Sequence, residues 1–300
     1  MAANTLSEFE STKQSVSDNL LNLSHLFNQF KDLNILISVK SEDESKSLQQ
    51  IIDQQRLNLL SNNFKVLILG EFSTGKSTFL NALMQEQILP VAVRPTTATI
   101  NKISYSPEKK ILIHHWGETD QDGNELSSGK TTTIELNELV KYTTALSAES
   151  DKISKTIKLV EIYYPIKYCK NSVEILDTPG LASTNEHHER VTLNYLPNGN
   201  ACILLLNPGQ PLSKSERHYL RLIRNYVSKI FFVANKINLL DEDERTEALE
   251  YMSDELRKEL QLDYPITLYP INAKLALSGD WDNSNFKNFI NEFEKYITSD

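Results

Sequence analysis

The sequence is short of cysteine and has no excess of basic residues, and each deficit excludes a class of protein. Its two cysteines, Cys169 and Cys202, cannot form a disulfide framework, so we expect reduced thiols and a cytosolic setting. Lys and Arg together number 31 against 40 Asp and Glu, which gives a net charge of −9. This acidic balance argues against a general nucleic-acid-binding protein, and we expect no nucleic-acid partner.

Long apolar runs are also missing. A membrane-spanning helix needs ~20 apolar residues, and runs such as Ala201 to Leu206 fall far short of that length. Residues 1–10 contain neither a basic stretch nor a long apolar one, so no signal peptide is expected. None of these runs is therefore expected to span a bilayer.

Residues 1–62 contain no glycine and no proline. Their apolar residues recur at helical spacing, and a charged, Ser-rich break at residues 41–47 separates two predicted helices. Isolated helices are marginally stable in water, so these helices need a partner surface. Two interpretations stay open: helices that pack on a neighbouring domain, or half of a helical stalk that moves relative to a head.

The stretch from Gly70 to Ser77 fits the phosphate-binding pattern G-x-x-x-x-G-K-[S/T]. An apolar, β-prone run precedes it at residues 64–69, and residues 78–87 follow with helical periodicity and no Gly or Pro. Strand, loop and helix are the context that this motif requires. Its glycines let backbone N–H groups approach phosphate oxygens, and the start of the helix adds partial positive charge.

Two side chains of this loop carry specific chemistry. Lys76 can reach the β- and γ-phosphates of a nucleotide, and the Ser77 hydroxyl can hold Mg²⁺. The residues of this stretch predicted to bind the nucleotide are Gly70, Glu71, Phe72, Ser73, Thr74, Gly75, Lys76, Ser77 and Thr78.

Three later apolar runs each end in a polar motif. The run at residues 173–176 ends in Asp177-Thr178-Pro179-Gly180, where the acid can hold Mg²⁺ through water and the Gly180 N–H can approach a γ-phosphate. The other two runs, 229–234 and 266–271, end in Asn235-Lys236-Ile237-Asn238 and in Asn272-Ala273-Lys274.

The pattern of the remaining chain predicts the fold class. Further strands are expected at residues 103–105, 111–116, 158–164 and 201–206, a polar loop at 117–133, and helices at 134–145, 213–227, 241–260 and from Phe286 onward. Strands that alternate with helices predict an α/β fold with a mostly parallel sheet and helices on both faces. In such sheets ligands bind at the carboxyl ends of the strands, where all these motifs fall.

A phosphate loop, a Thr-rich loop, Asp-x-x-Gly, Asn-Lys-x-x and x-Ala-Lys, in this order, resemble the signature of GTPases. The stretch from Phe72 to Leu83, with Leu89-Pro90 and Pro95-Thr96-Thr97-Ala98, resembles the dynamin superfamily, and within it the bacterial dynamin-like proteins and the mitofusins. The resemblance extends from residue 64 to about residue 300.

The resemblance implies a P-loop GTPase fold in a chain of three parts. These are an N-terminal helical neck or bundle segment at residues 1–62, a dynamin-type GTPase domain at residues 63–283, and a C-terminal helix at residues 284–300 that leads towards a stalk. Because the chain stops where a helical bundle should begin, we expect either a head fragment or a short family member that relies on a partner.

The resemblance also implies a function. It predicts GTP/GDP and Mg²⁺ as cofactors and hydrolysis of GTP to GDP and phosphate. Hydrolysis would be coupled to homodimer or heterodimer formation through the heads and to membrane remodelling such as fission, fusion or repair. The protein would be cytoplasmic and peripheral at a membrane. One alternative is a catalytically weak nucleotide-binding scaffold for an active paralogue. Another is a ribosome-assembly GTPase, against which the acidic balance and the leading helices count.

The resemblance also implies roles for individual residues, at the positions where this sequence matches the family motifs. Lys76 and Ser73 would stabilise charge in the transition state, Thr97 (alternatively Thr96) would close on Mg²⁺ and the attacking water, and Gly180 would sense the γ-phosphate. The predicted catalytic residues are thus Ser73, Lys76, Thr97 and Gly180; the predicted metal ligands are Ser77, Thr97 and Asp177; the predicted base-side residues are Asn235, Lys236, Asn238, Asn272, Ala273 and Lys274.

One position departs from the family pattern, because Asn238 stands where an Asp would read guanine. A carboxylate accepts two hydrogen bonds from the base, whereas an amide offers one acceptor and one donor. We therefore expect weakened selectivity for guanine and a better fit to xanthine. The alternative is that the nearby Asp241 supplies the carboxylate and preserves selectivity.

Overall fold

The computed structural model describes residues 14–26, 63–91, 99–117, 129–143, 156–170, 172–178 and 195–298, with the short pieces 11, 52–53, 56–57, 127 and 153. The chain divides into two compact units, Met1–Asn63 and Phe64–Asp300. In the first unit, residues 14–26, 52–53 and 56–57 are helical, as the sequence predicts. A hydrogen bond from Ser24 Oγ to Asp53 Oδ1, 2.9 Å long, joins its two helical stretches.

In the second unit the described residues form a mixed nine-stranded sheet. Its strands are β1 Phe64–Leu69, β2 Asn101–Tyr105, β3 Lys110–His115, β4 Thr131–Ile134, β5 Ile157–Tyr164, β6 Val173–Asp177, β7 Ala201–Leu206, β8 Lys229–Asn235 and β9 Leu268–Ile271. Their order is β4-β3-β5-β2-β6-β1-β7-β8-β9. From β6 to β9 every pairing is parallel, as is β2 with β5, whereas β2–β6, β3–β5 and β3–β4 are antiparallel. The prediction of a mostly parallel sheet is confirmed.

Six α-helices accompany the described part of this sheet. They are α1 Lys76–Met84, α2 Leu139–Thr143, α3 Lys214–Tyr226, α4 Glu242–Leu260, α5 Ala273–Leu277 and α6 Phe286–Thr298. Capping boxes fix the starts of the two longest crossover helices, with Ser213 and Glu216 at α3 and Asp241 and Glu244 at α4. Within the described ranges no helix has both the length and the hydropathy to cross a membrane.

The two faces of the sheet bury separate hydrophobic cores. On β1, Val66 and Ile68 point to one core while Leu67 and Leu69 point to the other, because successive side chains of a strand alternate. The first core packs α1 and the aromatic face of α6, and the second packs α3 and α4. Helices therefore cover both faces, as predicted.

Strand pairing differs from the chain order around β3. The strands β2 and β3 are joined by a short turn, yet β5 lies between them in the sheet.

The predicted polar loop at residues 117–133 is wrong at its end, because Thr131–Ile134 forms β4 along β3. The β-branched Thr side chains suit this pairing. The predicted helix at residues 134–145 is confirmed only over Leu139–Thr143, preceded by a 3₁₀ turn at Leu136–Glu138.

The aromatic cluster of α6 allows a test of the first core. Phe289 is fully buried, and its ring centroid lies 5.6 Å from that of Phe79 and 6.0 Å from that of Phe231. Since truncation leaves a cavity, Phe289→Ala should lower the free energy of unfolding by about 3–5 kcal/mol. Chemical denaturation measures this change. Tyr251→Ala, which removes a 52% exposed ring on α4, is the control and should stay near the wild type.

Candidate functional site

The phosphate-binding loop connects β1 to α1 in a conformation that requires glycine at two positions. Gly70 has φ 149° and Gly75 has φ 94°. A Cβ atom on Gly70 would lie 2.6 Å from the Leu205 carbonyl oxygen, and one on Gly75 would lie 2.4 Å from Asn235 Nδ2. Gly75 is also the N-cap of α1 and has no capping side chain. The first N–H groups of α1 are thus available to an anion.

The Lys76 ammonium lies inside this loop. Its Nζ donates hydrogen bonds to the carbonyl oxygens of Gly70, at 2.8 Å, and Glu71, at 3.1 Å. Burial lowers the pKa of Lys76 to about 8, although the charges of Asp177 and Glu71 oppose this shift. A cation beside the first N–H groups of α1 is suited to binding phosphate oxygens.

Asp177 lies at the carboxyl end of β6, opposite Ile68 of β1, and is 1% exposed. Burial raises the pKa of its carboxyl to about 6, whereas the Lys76 charge and a hydrogen bond from Asn101 act in the opposite direction. Asn101 Nδ2 donates to Asp177 Oδ2 at 3.0 Å. The other oxygen, Oδ1, is buried and has no hydrogen-bond partner among the described residues.

These residues fit a hydrated magnesium ion. Carboxylate and hydroxyl oxygens are the ligands that Mg²⁺ prefers, and it keeps several of its own waters. The buried Asp177 Oδ1 lacks a donor, which a metal-bound water would supply. Ser77, the second residue of α1, and Asp177 are the described residues that would hold the ion. The predicted ligand Thr97 lies outside the described residues, as do Thr96 and Gly180.

The remaining residues of the phosphate loop take different positions. Thr74 is buried and its Oγ1 donates to the Glu71 carbonyl oxygen at 2.9 Å, which stabilises the turn. The Glu71 carboxylate accepts a hydrogen bond from Ser213 Oγ at the start of α3. Phe72 is 36% exposed, and Thr78 is half-buried on α1. Exposed Phe72 and Ser73 therefore lie on the solvent side of the loop.

Asn235 joins three of the predicted motifs. Its Nδ2 donates to the Thr74 carbonyl oxygen at 2.8 Å, and its Oδ1 accepts from the Ala273 N–H at 3.0 Å. The next residue, Lys236, is in the left-handed region with φ 65°, and its Nζ lies 3.4 Å from Ser73 Oγ. The phosphate loop, Asn-Lys and Asn-Ala-Lys motifs thus form one site at the carboxyl ends of β1, β8 and β9.

We call the two hydrogen bonds of Asn235, to the Thr74 carbonyl oxygen and from the Ala273 N–H, the Asn235 clamp. The side chains near this clamp differ in their hydrogen bonding. Asn238 is exposed in a 3₁₀ turn, and its side chain makes no hydrogen bond to the described residues. Asp241, the alternative source of a carboxylate, is exposed but forms the capping box of α4 with Glu244. Asn272 caps α5 through the Leu275 N–H at 3.1 Å, while Lys274 is exposed.

Two buried asparagines make hydrogen bonds that were not predicted: Asn81 to the chain after α1, and Asn101 to Asp177. Asn81 on α1 accepts from the backbone N–H groups of Ile88 and Leu89 at 3.0 and 2.8 Å, and donates to the Leu89 carbonyl at 2.8 Å. Asn101 opens β2 beside Asp177. They anchor the chain on either side of the segment that contains Thr97. A polar residue inside an apolar periodic run was the available signal.

Comparison with known proteins identifies the family. The sequence profile of the dynamin family matches residues 66–237, more than half of the chain. The chain belongs to the dynamin family. It is 31% identical to an uncharacterized protein of the xynA 3′ region of Caldicellulosiruptor, over 81% of this chain and 57% of the relative. It is 29% identical to a bacterial dynamin-like protein of Nostoc punctiforme, over 80% and 38% of the two chains.

A solved structure shows the same fold. This structure of a bacterial dynamin pair superimposes with a TM-score of 0.62 at 22% identity, over 94% of this chain and 43% of the other. The chain thus spans between 38% and 57% of the length of these three proteins. The expected dynamin resemblance and P-loop GTPase fold are confirmed, and the members of this family are GTPases.

The Asn235 clamp allows a test of how the motifs are held together. Asn235→Ala leaves the Thr74 carbonyl and the Ala273 N–H without partners, so the free energy of unfolding should fall by about 1–3 kcal/mol. Thermal or chemical unfolding measures it. Asn225→Ala, at an exposed position of α3, serves as the matched control. Equal stability of the two variants would contradict the clamp.

Proposed function

We propose that this chain is the GTPase head of a dynamin-like protein, which binds GTP with Mg²⁺ and hydrolyses it to GDP and phosphate. The observation that carries the proposal is the buried Lys76 ammonium, held by the carbonyls of Gly70 and Glu71 at the carboxyl end of β1. A buried ammonium held by neutral carbonyl oxygens is suited to bind an anion. The phosphates of a nucleotide supply such an anion.

In this proposal the residues of the phosphate loop act on charge. Lys76 stabilises negative charge on the β- and γ-phosphates, and Ser73 contacts the oxygens between them, where charge develops during hydrolysis. Ser77, Thr97 and Asp177 hold Mg²⁺, which when bound neutralises phosphate oxygens. Since Leu181 follows Gly180, where Ras-type enzymes have a water-orienting Gln, Thr97 and the Gly180 N–H position the attacking water and the γ-phosphate.

Removal of the ammonium tests the proposal. Lys76→Ala should abolish phosphate release from GTP, because the charge on the γ-phosphate loses its main counter-charge. A colorimetric phosphate assay measures release. Lys258→Ala, an exposed position on α4, is the control and should keep wild-type activity. A measurable wild-type rate that Lys76→Ala retains in full would refute the proposed site.

Head pairing and membrane action are further parts of the proposal. The solved relative is described as an oligomerised bacterial dynamin pair that senses and tethers membranes. By analogy, this head would form a homodimer or heterodimer across the nucleotide, and specific activity would rise with protein concentration. The protein would act at the cytoplasmic side of a membrane, reached through regions outside this chain or through a partner. In this proposal the neck comprises residues 1–62 and the GTPase domain comprises residues 63–283. Residues 284–300 form the helix that leads towards a stalk.

Base selectivity depends on Asn238 in this proposal. Its exposed side chain is available to the base, whereas Asp241 is engaged in a capping box and is a poor substitute for the missing carboxylate. An amide in place of a carboxylate forfeits one charge-assisted hydrogen bond and sets an NH₂ against the guanine amine. Selectivity for guanine over xanthine should therefore be weak.

Competition binding of GTP, XTP and ATP measures this selectivity. Asn238→Asp should raise the preference for GTP over XTP about ten- to hundredfold, the equivalent of 1.5–3 kcal/mol for a hydrogen bond to a charged group. Asn225→Asp, which adds the same charge on α3, is the control and should leave the ratio unchanged. A wild-type preference for GTP over XTP of at least a hundredfold would contradict the prediction.

Asn238 also favours the second candidate function, a catalytically weak scaffold that partners an active paralogue. Weak binding of the base would reduce occupancy by nucleotide at cellular concentrations. The two functions differ in one measurement. The scaffold predicts nucleotide binding without phosphate release above that of Lys76→Ala, at any protein concentration.

A further inference from the structure

Asn101 and Asp177 form a buried pair across two strands that the sequence separates by more than seventy residues. The antiparallel register of β2 and β6 places them directly opposite each other. Asn101 is 2% exposed and Asp177 is 1% exposed. Asn101 Nδ2 donates to Asp177 Oδ2 at 3.0 Å. The pair thus lies at the edge of the sheet where the phosphate loop begins.

The hydrogen bonding of this pair is incomplete in a specific way. Asp177 Oδ2 is satisfied by Asn101, whereas Asp177 Oδ1 has no partner in the described part of the chain. Asn101 Oδ1 is also buried without a partner in that part of the chain. The bond from Asn101 therefore restrains the carboxylate at Oδ2 and leaves its Oδ1 open. An open oxygen with a fixed direction is suited to accept from a bound water.

We propose that Asn101 is a positioning residue for the magnesium site, which orients the Asp177 carboxylate so that Oδ1 remains the acceptor for water bound to Mg²⁺. This inference rests on the proposed function, because it presupposes that a nucleotide binds with Mg²⁺. Asn101 itself touches neither the nucleotide nor the ion. It acts through Asp177, in the way that hydrogen-bonded outer residues orient metal ligands in other sites.

The residue type suits this role. An Asn donates through an uncharged amide, so it holds the carboxylate without adding a charge beside the metal site. A Leu at this position would have a similar branched shape but no donor, and the Asp177 carboxylate would lose the hydrogen bond at Oδ2.

The test separates metal binding from nucleotide binding. Affinity for a fluorescent GDP analogue is measured in EDTA and then during a Mg²⁺ titration, for the wild type, Asn101→Leu and Asn101→Ala. We expect nucleotide affinity in EDTA to stay within about twofold and Mg²⁺ affinity to fall about tenfold, the lower end of outer-residue effects. Asn200→Ala is the control. It removes the hydrogen bond that Asn200 accepts from the Lys65 N–H at the other end of the sheet, and its Mg²⁺ titration should have the wild-type midpoint.

Other outcomes overturn the inference. An unchanged Mg²⁺ midpoint in the Asn101 variants, or an equal loss of nucleotide affinity in EDTA, would show that Asn101 serves only the fold. If neither variant folds, a crystal structure of the wild type with GDP and Mg²⁺ decides. A carboxylate that leaves Asn101, or an Oδ1 atom without a metal-bound water, would refute the proposal. Absence of nucleotide binding by the wild type would instead refute the proposed function, on which this inference rests.

Discussion

Burial of two opposite charges at one edge of the sheet is the constraint on which the site depends. Burial lowers the pKa of Lys76 to about 8 and raises the pKa of Asp177 to about 6, so the protein interior disfavours the charged form of each. A buried charge destabilises a fold unless partners compensate it. In the proposed function, a nucleotide with Mg²⁺ would bring charges of both signs to these two groups.

The sheet holds these charges in place. The parallel register of β1 with β6 sets Ile68 opposite Asp177, and Thr178 Oγ1 donates to the Ile68 carbonyl oxygen at 3.0 Å. Both strands are buried between the two cores. Asn235 then joins the phosphate loop to the start of α5. Rigid elements therefore set the relative positions of residues that lie far apart in the chain.

The sequence was sufficient for the local parts of this arrangement. Continuous apolar runs that end in Gly70, Asp177 and Asn235 predict buried parallel strands, and the helix predicted at residues 213–227 agrees with α3. What it could not supply is pairing between distant segments. The position of β5 between β2 and β3, and the contact of Asn101 with Asp177, depend on tertiary packing that no local pattern encodes. Thr97 and Gly180 stay predictions.

The close approach of Gly75 to Asn235 has a consequence for how the protein can vary. Any side chain at position 75 would meet the Asn235 amide, and shortening Asn235 would remove that clash. The left-handed backbone at φ 94° would still strain every L-amino acid. In a library that randomises both positions together, functional clones should therefore retain glycine at 75 whatever occupies 235. The substitution route open to this loop would then lie at its solvent-facing Phe72.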